Sequence, residues 1–171
     1  MGVLLILGGG FYFAHLHPDL AGGLAAGAVL LGIMVWNANR RRSAAYRAAL
    51  LECGARDPMK LSPVEFELFC GMLLAGRGWS VQATRTTGDY GADIVAERDG
   101  VRLVVQCKRW SNAAGVAAVQ EAHAAIAFYG AHRAAVMATS GFTRAAEALA
   151  GTTGTALIVP GQHDLDRVLG Q

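Results

Sequence analysis

A turn between two apolar runs constrains the fold more than any other stretch of this sequence. Residues 94–96, and residues 101–105 apart from Arg102, are apolar and prone to form strands, and Asp99-Gly100 lies between them. Asp-Gly between such runs is a strong signal for a β-hairpin, because glycine accepts the positive φ angles that tight hairpin turns require. The sequence therefore predicts two antiparallel strands joined at this turn.

The predicted hairpin brings three polar side chains together at its open end. Pairing places Asp93, before the first strand, close to Gln106 and Lys108 at the end of the second. Gln106 and Lys108 are two residues apart, so they point to the same face of their strand. A carboxylate, an amide oxygen and an ammonium that converge at a strand end have the chemistry to hold a divalent metal ion and a phosphate. The alternative, from the residues alone, is a surface salt bridge between Asp93 and Lys108.

Motifs on both sides of the hairpin resemble the Mrr-like branch of the PD-(D/E)xK nucleases, in which Gln replaces the second acidic ligand. Phe66-Glu67 precedes the hairpin on a predicted helix, and Gln106-Cys107-Lys108-Arg109 ends it. Two further stretches follow the family pattern in the family order, Thr87-Gly88-Asp89-x-Gly91-x-Asp93 and Thr139-Ser140-Gly141-Phe142-Thr143. The resemblance covers residues 61–169 and leaves the first 60 residues outside it.

This resemblance implies a metal-dependent endonuclease that hydrolyses phosphodiester bonds in DNA, with Glu67, Asp93, Gln106 and Lys108 as the catalytic residues. The implied ligands of Mg²⁺, for which Mn²⁺ can substitute, are Asp93, the Gln106 side chain and the backbone carbonyl of Cys107. Mg²⁺ prefers oxygen ligands and retains several waters, so one or two carboxylates suffice. Because Gln106 is neutral, we expect weaker metal binding than in a site with two carboxylates.

Glu67 is preferred to Glu65 as the catalytic residue because Glu65 is expected to cap the start of the helix. Ser62-Pro63-Val64-Glu65 is a capping box with proline at the first helical position, and it predicts a helix start there. Glu67 has no such task, and it coincides with the glutamate of the family's Phe-Glu pair. The alternative for Glu67 is a solvated helix position.

Other polar residues near these motifs are candidates for auxiliary tasks. Asp89 and Gln120 are possible auxiliary site residues, with a loop-capping turn and a solvated helix position as their alternatives. Trp110 is expected in the core rather than as a platform for base stacking. From residue 60 onward, ten Lys or Arg balance ten Asp or Glu, so the basic excess of tight nonspecific DNA binders is missing. Local DNA contacts are predicted for Arg85, Arg109, Ser140 and Thr143.

The rest of the chain after residue 60 predicts an α/β protein. Strands are expected at 79–84, 134–138 and 156–159, and helices at 113–129, from 143 to about 150 and at 164–169. Strands that alternate with helices after an initial meander indicate an α/β sandwich around a mixed sheet. The resemblance implies the three-layer sandwich with a central mixed sheet that restriction endonucleases have. Cys53, Cys70 and Cys107 match neither a disulfide framework nor a zinc pattern, so reduced thiols are expected.

The N-terminal residues are the source of the positive mean hydropathy of +0.33. Residues 1–18 and 20–39 contain no Asp, Glu, Lys or Arg, and Arg40-Arg41-Arg42 follows. This pattern predicts a transmembrane helical hairpin over 1–39 and a basic juxtamembrane helix or linker over 40–60, and the resemblance implies a nuclease domain over 61–171. The positive-inside rule places that domain in the cytoplasm, at the inner membrane. The alternatives are a buried hairpin of a soluble protein and a cleaved signal peptide, although no basic segment precedes the first apolar run.

Together these features predict a membrane-anchored DNA endonuclease of the restriction or defence type, with a homodimer as an open possibility. A second hypothesis is a catalytically silent, membrane-tethered module that binds DNA or a partner, which the neutral charge after residue 60 leaves open. A third is a junction-resolving nuclease, which would cut four-way DNA far faster than linear duplex.

Overall fold

The computed structural model of the chain describes residues 18–84, 91–162 and 165–169, with side chains from residue 25 onward except at position 167. The predictions for Arg85 and Asp89 lie outside these residues. The chain divides into two compact units, Met1–Arg47 and Ala48–Gln171.

Helix α1, Pro18–Arg56, is one continuous helix of 39 residues. The domain boundary that the sequence predicts at residue 40 falls within this helix, and a basic juxtamembrane segment over 40–60 stays a prediction. The helix continues because residues 33–53 contain neither proline nor glycine, the two residues that most often end a helix. Within the described ranges, no helix is both long enough and apolar enough to cross a bilayer. The predicted transmembrane hairpin is therefore unsupported, and its first apolar run lies outside the described residues.

Five strands form a single mixed sheet in the order of the sequence. They are β1 (Ser80–Ala83), β2 (Ile94–Arg98), β3 (Val101–Lys108), β4 (Arg133–Ala138) and β5 (Ala156–Ile158). The first three strands are antiparallel and the last three are parallel. Because β3 and β4 run in the same direction, the ends of both strands lie at one edge of the sheet.

The β2–β3 hairpin has the predicted turn and the predicted register. Ile94 pairs with Val105 and Arg98 pairs with Val101. Asp99 and Gly100 have φ angles of 51° and 77°, the two positive values that a two-residue hairpin turn of this kind requires. The hairpin prediction is confirmed.

Two helices of the second unit begin at the caps that the sequence predicted, and the helix predicted from residue 113 begins at Val116. Ser62 and Glu65 form the expected capping box, with hydrogen bonds of 2.9 and 3.3 Å between their side chains and each other's backbone N–H groups. Thr143 caps a later helix by accepting a hydrogen bond from the Ala146 N–H. After a 3-10 turn at Pro58–Lys60, the helices are α2 (Pro63–Ala75), α3 (Val116–Tyr129), α4 (Arg144–Thr153) and α5 (Leu165–Leu169).

Two hydrophobic clusters lie on the two faces of the sheet and complete the predicted three layers. Leu103 and Val105 of β3 pack with Phe66 and Phe69 of α2 on one face. Val104 packs on the other face with the buried residues of α3 and α4, among them Val119, Ala122, Ala146 and Ala150. Successive side chains of a strand point to opposite faces, so the continuous apolar run of β3 serves both clusters.

Candidate active site

The open end of the hairpin holds Asp93 in a dense set of hydrogen bonds. Its Oδ2 atom accepts from the side-chain Nε2 of Gln106 at 2.7 Å and from the backbone N–H of Cys107 at 2.6 Å. The backbone of Asp93 donates to the Val105 carbonyl at 2.9 Å and accepts from the Thr84 N–H at 3.0 Å. The carboxylate is therefore positioned by main-chain bonds on both sides, as a preorganised site requires.

Gln106 lies at the end of β3 with only 7% of its surface exposed. The sequence suggested its amide oxygen as a metal ligand, whereas the amide nitrogen is the atom that contacts Asp93. An amide side chain carries donors on its nitrogen and an acceptor on its oxygen. With its nitrogen bound to the carboxylate, Gln106 holds Asp93 in place and retains an oxygen as acceptor.

Lys108 is held by a glutamate that the sequence did not single out. Its Nζ donates to Oε2 of Glu121 on α3 at 2.7 Å, and its side chain is 15% exposed. Gln120, the helix residue proposed from the sequence, is exposed. The two candidates are adjacent, so only the rotation of α3 against the sheet decides which of them reaches Lys108. The signal for Glu121 in the sequence was a charged residue directly before Ala122, which lies on the buried face of α3.

Gly91 connects the loop before Asp93 to the same turn of α3. Its φ angle is +86°, and a Cβ atom at this position would lie 2.6 Å from the carbonyl oxygen of Glu121. Two features of this position therefore require glycine, namely the left-handed backbone and the close approach of the Glu121 backbone. This contact sets the position of the Asp93 loop relative to the partner of Lys108.

The Cys107 thiol is buried on the face of β3 that packs against α2, and it lies near the charges of Asp93 and Glu67. A hydrogen bond with the Cys70 side chain, followed by burial, raises the pKa of the Cys107 thiol, and the nearby charges of Asp93 and Glu67 act in the same direction. Glu67 is half-buried on α2, and its charge acts on the Cys107 thiol near the end of β3. All three cysteines are free. We infer that Cys107 contributes its backbone to the site and keeps its thiol protonated.

Three predicted DNA contacts already have partners within the protein. Arg109 donates to the carbonyls of Leu61 at 2.6 Å and Met59 at 3.1 Å, which ties the segment before α2 to the end of β3. The Ser140 hydroxyl donates to the Trp110 carbonyl at 2.6 Å. Thr143 caps α4. Their contact with DNA stays a prediction.

Trp110 is not a core residue, contrary to the expectation from the sequence. It is 49% exposed, and the centre of its ring lies 5.4 Å from the Lys108 Nζ. Trp110 lies beyond the end of β3 at Lys108, and its side chain belongs to neither hydrophobic cluster.

The donor atoms at this edge suit a hard cation better than zinc. In the part of the chain that the structure describes, no three His, Cys, Asp or Glu side chains form a cluster able to hold a metal. The carboxylate of Asp93, the amide oxygen of Gln106 and the carbonyl of Cys107 are oxygen donors, which Mg²⁺ and Mn²⁺ accept. Such a site would complete its shell with water.

Comparison with known proteins places this arrangement in context. The model of the Mrr_cat family, described as restriction endonuclease, matches residues 58–163. No curated protein matches the chain. Matching solved structures include a protein of unknown function, AF1548, with 20% identity and a TM-score of 0.50, over 57% of this chain and 58% of that one. At this identity the similarity concerns the fold.

Two restriction endonucleases are also among the matching structures. The DNA modification-dependent restriction endonuclease AspBHI has 22% identity and a TM-score of 0.49, over 66% of this chain and 32% of that one. The MspJI restriction endonuclease in complex with a 27-mer oligonucleotide has 17% identity and a TM-score of 0.42, over 69% of this chain and 29% of that one. The chain thus spans about a third or less of each endonuclease.

Proposed function

The chain belongs to the Mrr_cat restriction endonuclease family, and from this premise we propose that it is a divalent-metal-dependent DNA endonuclease. One observation carries the proposal. The Asp93 carboxylate is bound by Gln106 and by the Cys107 backbone, and Lys108 follows at the same edge of the sheet. These residues lie within the matched range 58–163.

A metal ion at this edge would be held by the oxygens of Asp93, Gln106 and the Cys107 carbonyl, with Glu67 contributing through water. When bound, Mg²⁺ supplies an activated water and neutralises charge on the phosphate. The hydrogen bonds to Asp93 hold its carboxylate in one orientation, which lowers the entropic cost of assembling such a site.

Lys108 is the residue suited to the phosphate itself. Its ammonium can donate to a phosphate oxygen and stabilise the negative charge that develops as the phosphodiester bond breaks. Glu121 holds this ammonium at 2.7 Å. The carboxylate therefore keeps a flexible lysine in one place, at the edge where the proposed metal ligands meet.

The proposal is tested by nicking of supercoiled plasmid by the full-length protein, with Mg²⁺ and with a chelator. Lys108→Ala and Asp93→Asn are each expected to slow cleavage by at least about 100-fold. The first removes the positive charge proposed to stabilise the phosphate, and the second removes the charged ligand of the proposed metal ion. Lys60→Ala and Asp99→Asn are matched controls, since Lys60 and Asp99 are exposed. Cleavage that is unchanged in the Lys108 and Asp93 variants, or that persists in the chelator, would overturn the assignment.

The choice of DNA substrate separates the kinds of endonuclease. The same proteins are incubated with unmodified plasmid, methylated plasmid and a four-way junction. We expect the plasmids to be cut at least as fast as the junction, as in restriction. Faster cutting of the junction, together with a homodimer in light scattering, would instead assign a resolving nuclease. Binding without cutting would assign the silent module.

We also propose that the N-terminal residues attach the protein to the inner membrane, with the nuclease unit in the cytoplasm. The support is an uncharged stretch over residues 20–39 followed by three arginines. Along α1 the large apolar side chains of this stretch are exposed, namely Val29, Leu30, Leu31, Ile33, Met34, Val35 and Trp36. The Arg40 guanidinium lies 4.7 Å from the centre of the Trp36 ring, and both residue types favour the lipid headgroup region.

Cell fractionation tests this attachment. The full-length protein should be recovered with membranes and released by detergent but not by high salt, because burial of apolar side chains is insensitive to ionic screening. Release by salt alone, or recovery in the soluble fraction, would contradict the proposal. This result is independent of the cleavage assay.

A further inference from the structure

An exposed indole lies next to the proposed phosphate-binding lysine. Trp110 is 49% exposed, although tryptophan is largely buried on average in folded proteins. Its ring centre is 5.4 Å from the Lys108 Nζ. The apolar ring therefore faces solvent at the place where the proposed reaction would occur.

The backbone of Trp110 is fixed by the loop after β4. Its N–H donates to the Thr139 hydroxyl oxygen at 3.0 Å, and its carbonyl accepts from the hydroxyls of Thr139 at 2.7 Å and Ser140 at 2.6 Å. These bonds hold the chain just after β3 against the end of β4. The ring is thus presented on a rigid support, so little entropy is lost if a ligand packs on it.

Stacking of a nucleic acid base is the contact that suits this ring. Every base has a π-face that stacks on aromatic side chains, and proteins that bind single strands combine such rings with basic groups for the backbone. One sugar joins a base to its phosphate, so a phosphate on Lys108 leaves the adjacent base within reach of a ring a few ångströms away.

We propose that Trp110 stacks on a base next to the phosphate bound by Lys108, so that the site takes DNA with an unpaired or unstacked nucleotide at that position. This inference rests on the proposed function. Bases inside an intact duplex are stacked on their neighbours, so contact with Trp110 requires one base to leave the stack. The indole thereby favours locally opened DNA over continuous duplex.

Binding of oligonucleotides without metal tests the stacking separately from cleavage. The full-length protein is titrated with a single-stranded oligonucleotide and with its duplex. Trp110→Ala is expected to weaken single-strand binding by about 10-fold, in line with the loss of one stacked base. Trp110→Phe keeps an aromatic face and should stay within about 2-fold of the wild type. Phe128→Ala is the matched control, because Phe128 is 56% exposed near the other end of α3.

Tryptophan fluorescence supplies a readout that would not respond to DNA if Trp110 only stabilised the fold. The chain has Trp36, Trp79 and Trp110, and Trp79 is buried. In a Trp36→Phe background, the single strand should quench the emission, and adding Trp110→Phe should remove most of the quenching while binding persists. Equal quenching in both proteins would overturn the stacking.

Failure of this inference and failure of the proposed function give different results. If the protein cleaves DNA while Trp110→Ala binds single strands as well as the wild type, the stacking is refuted and the nuclease assignment stands. If Trp110 is quenched as expected but no DNA is cleaved, the stacking stands and the nuclease assignment is refuted. A wild type that binds single strands no better than duplex refutes the stacking.

Discussion

The two ends of the β2–β3 hairpin carry similar residues in very different surroundings. At the turn, Glu97 and Arg102 form an ion pair of 2.6 Å with side chains 53% and 43% exposed. At the open end, Lys108 pairs with Glu121 at 2.7 Å, but the lysine side chain is only 15% exposed. Asp93 there accepts hydrogen bonds from a buried amide and a backbone N–H.

This difference shows that charge content alone does not make a site. Exposed ion pairs are screened by water and contribute little to stability. At the open end the Lys108 side chain is 15% exposed and the Glu121 side chain is 44% exposed. The lysine therefore lies in a less polar medium than the residues of the ion pair at the turn, and its interactions are stronger there. The ion pair at the turn is thus solvated at both residues, whereas the lysine at the open end is mostly covered.

The largest effect is expected from replacing glycine by alanine at the open end, compared with the same replacement at the turn. Gly91→Ala should lower the free energy of unfolding by about 3 kcal/mol, because its Cβ would lie 2.6 Å from the Glu121 carbonyl oxygen at a positive φ. Gly100→Ala has no heavy atom within 4 Å of its Cβ and should cost about 1 kcal/mol from the φ angle alone. Urea unfolding of the full chain measures both values. Equal costs would show that the loop before Asp93 does not pack on α3 as described.

A smaller effect is expected from removing the acid of each ion pair. Glu121→Ala should lower the free energy of unfolding by about 1 kcal/mol, since it leaves a mostly covered lysine without its partner. It should also slow cleavage by about 10-fold, because a Lys108 ammonium that Glu121 no longer holds lies beside the phosphate less often.

Glu97→Ala is the matched change at the turn. It should alter stability by less than about 0.5 kcal/mol and leave cleavage unchanged. Unfolding curves and steady-state cleavage rates of the two variants decide the comparison. A Glu121→Ala protein that cuts as fast as the wild type would remove Glu121 from the site.

The smallest effect is expected from Asp99→Asn at the turn. Asp99 has a φ angle of 51°, and asparagine adopts this left-handed conformation at least as readily as aspartate. The free energy of unfolding should therefore rise by no more than about 0.5 kcal/mol, with cleavage unchanged. The same substitution at Asp93 keeps an acceptor for Gln106 but removes the charge. Loss of cleavage in both variants would abolish the distinction between the two ends.

Features that depend on neighbouring residues were predicted well. The Asp-Gly turn, the capping box at Ser62 and the cap at Thr143 each follow from the chemistry of a few adjacent residues. Because the turn sets the register, the contact of Asp93 with Gln106 followed as well.

Features that depend on distant segments were not predicted. The pairing of Lys108 with Glu121, the carbonyl partners of Arg109 and the exposure of Trp110 join residues between 13 and 50 positions apart or depend on how a loop leaves the sheet. The charge pattern predicted a domain boundary at residue 40, and α1 continues through this position to Arg56.

By itself, the sequence determined the hairpin, the order of strands and helices, and the residues that end β3, because turns, caps and period-two patterns are local properties of the chain. Only the tertiary structure decided which acid holds Lys108, which amide atom faces Asp93, and that Trp110 lies at the surface. These outcomes depend on the rotation of α3 and the path of two loops, which are set by packing between segments far apart in the sequence. The shape of the site is therefore a product of the fold, while its composition was already present in the sequence.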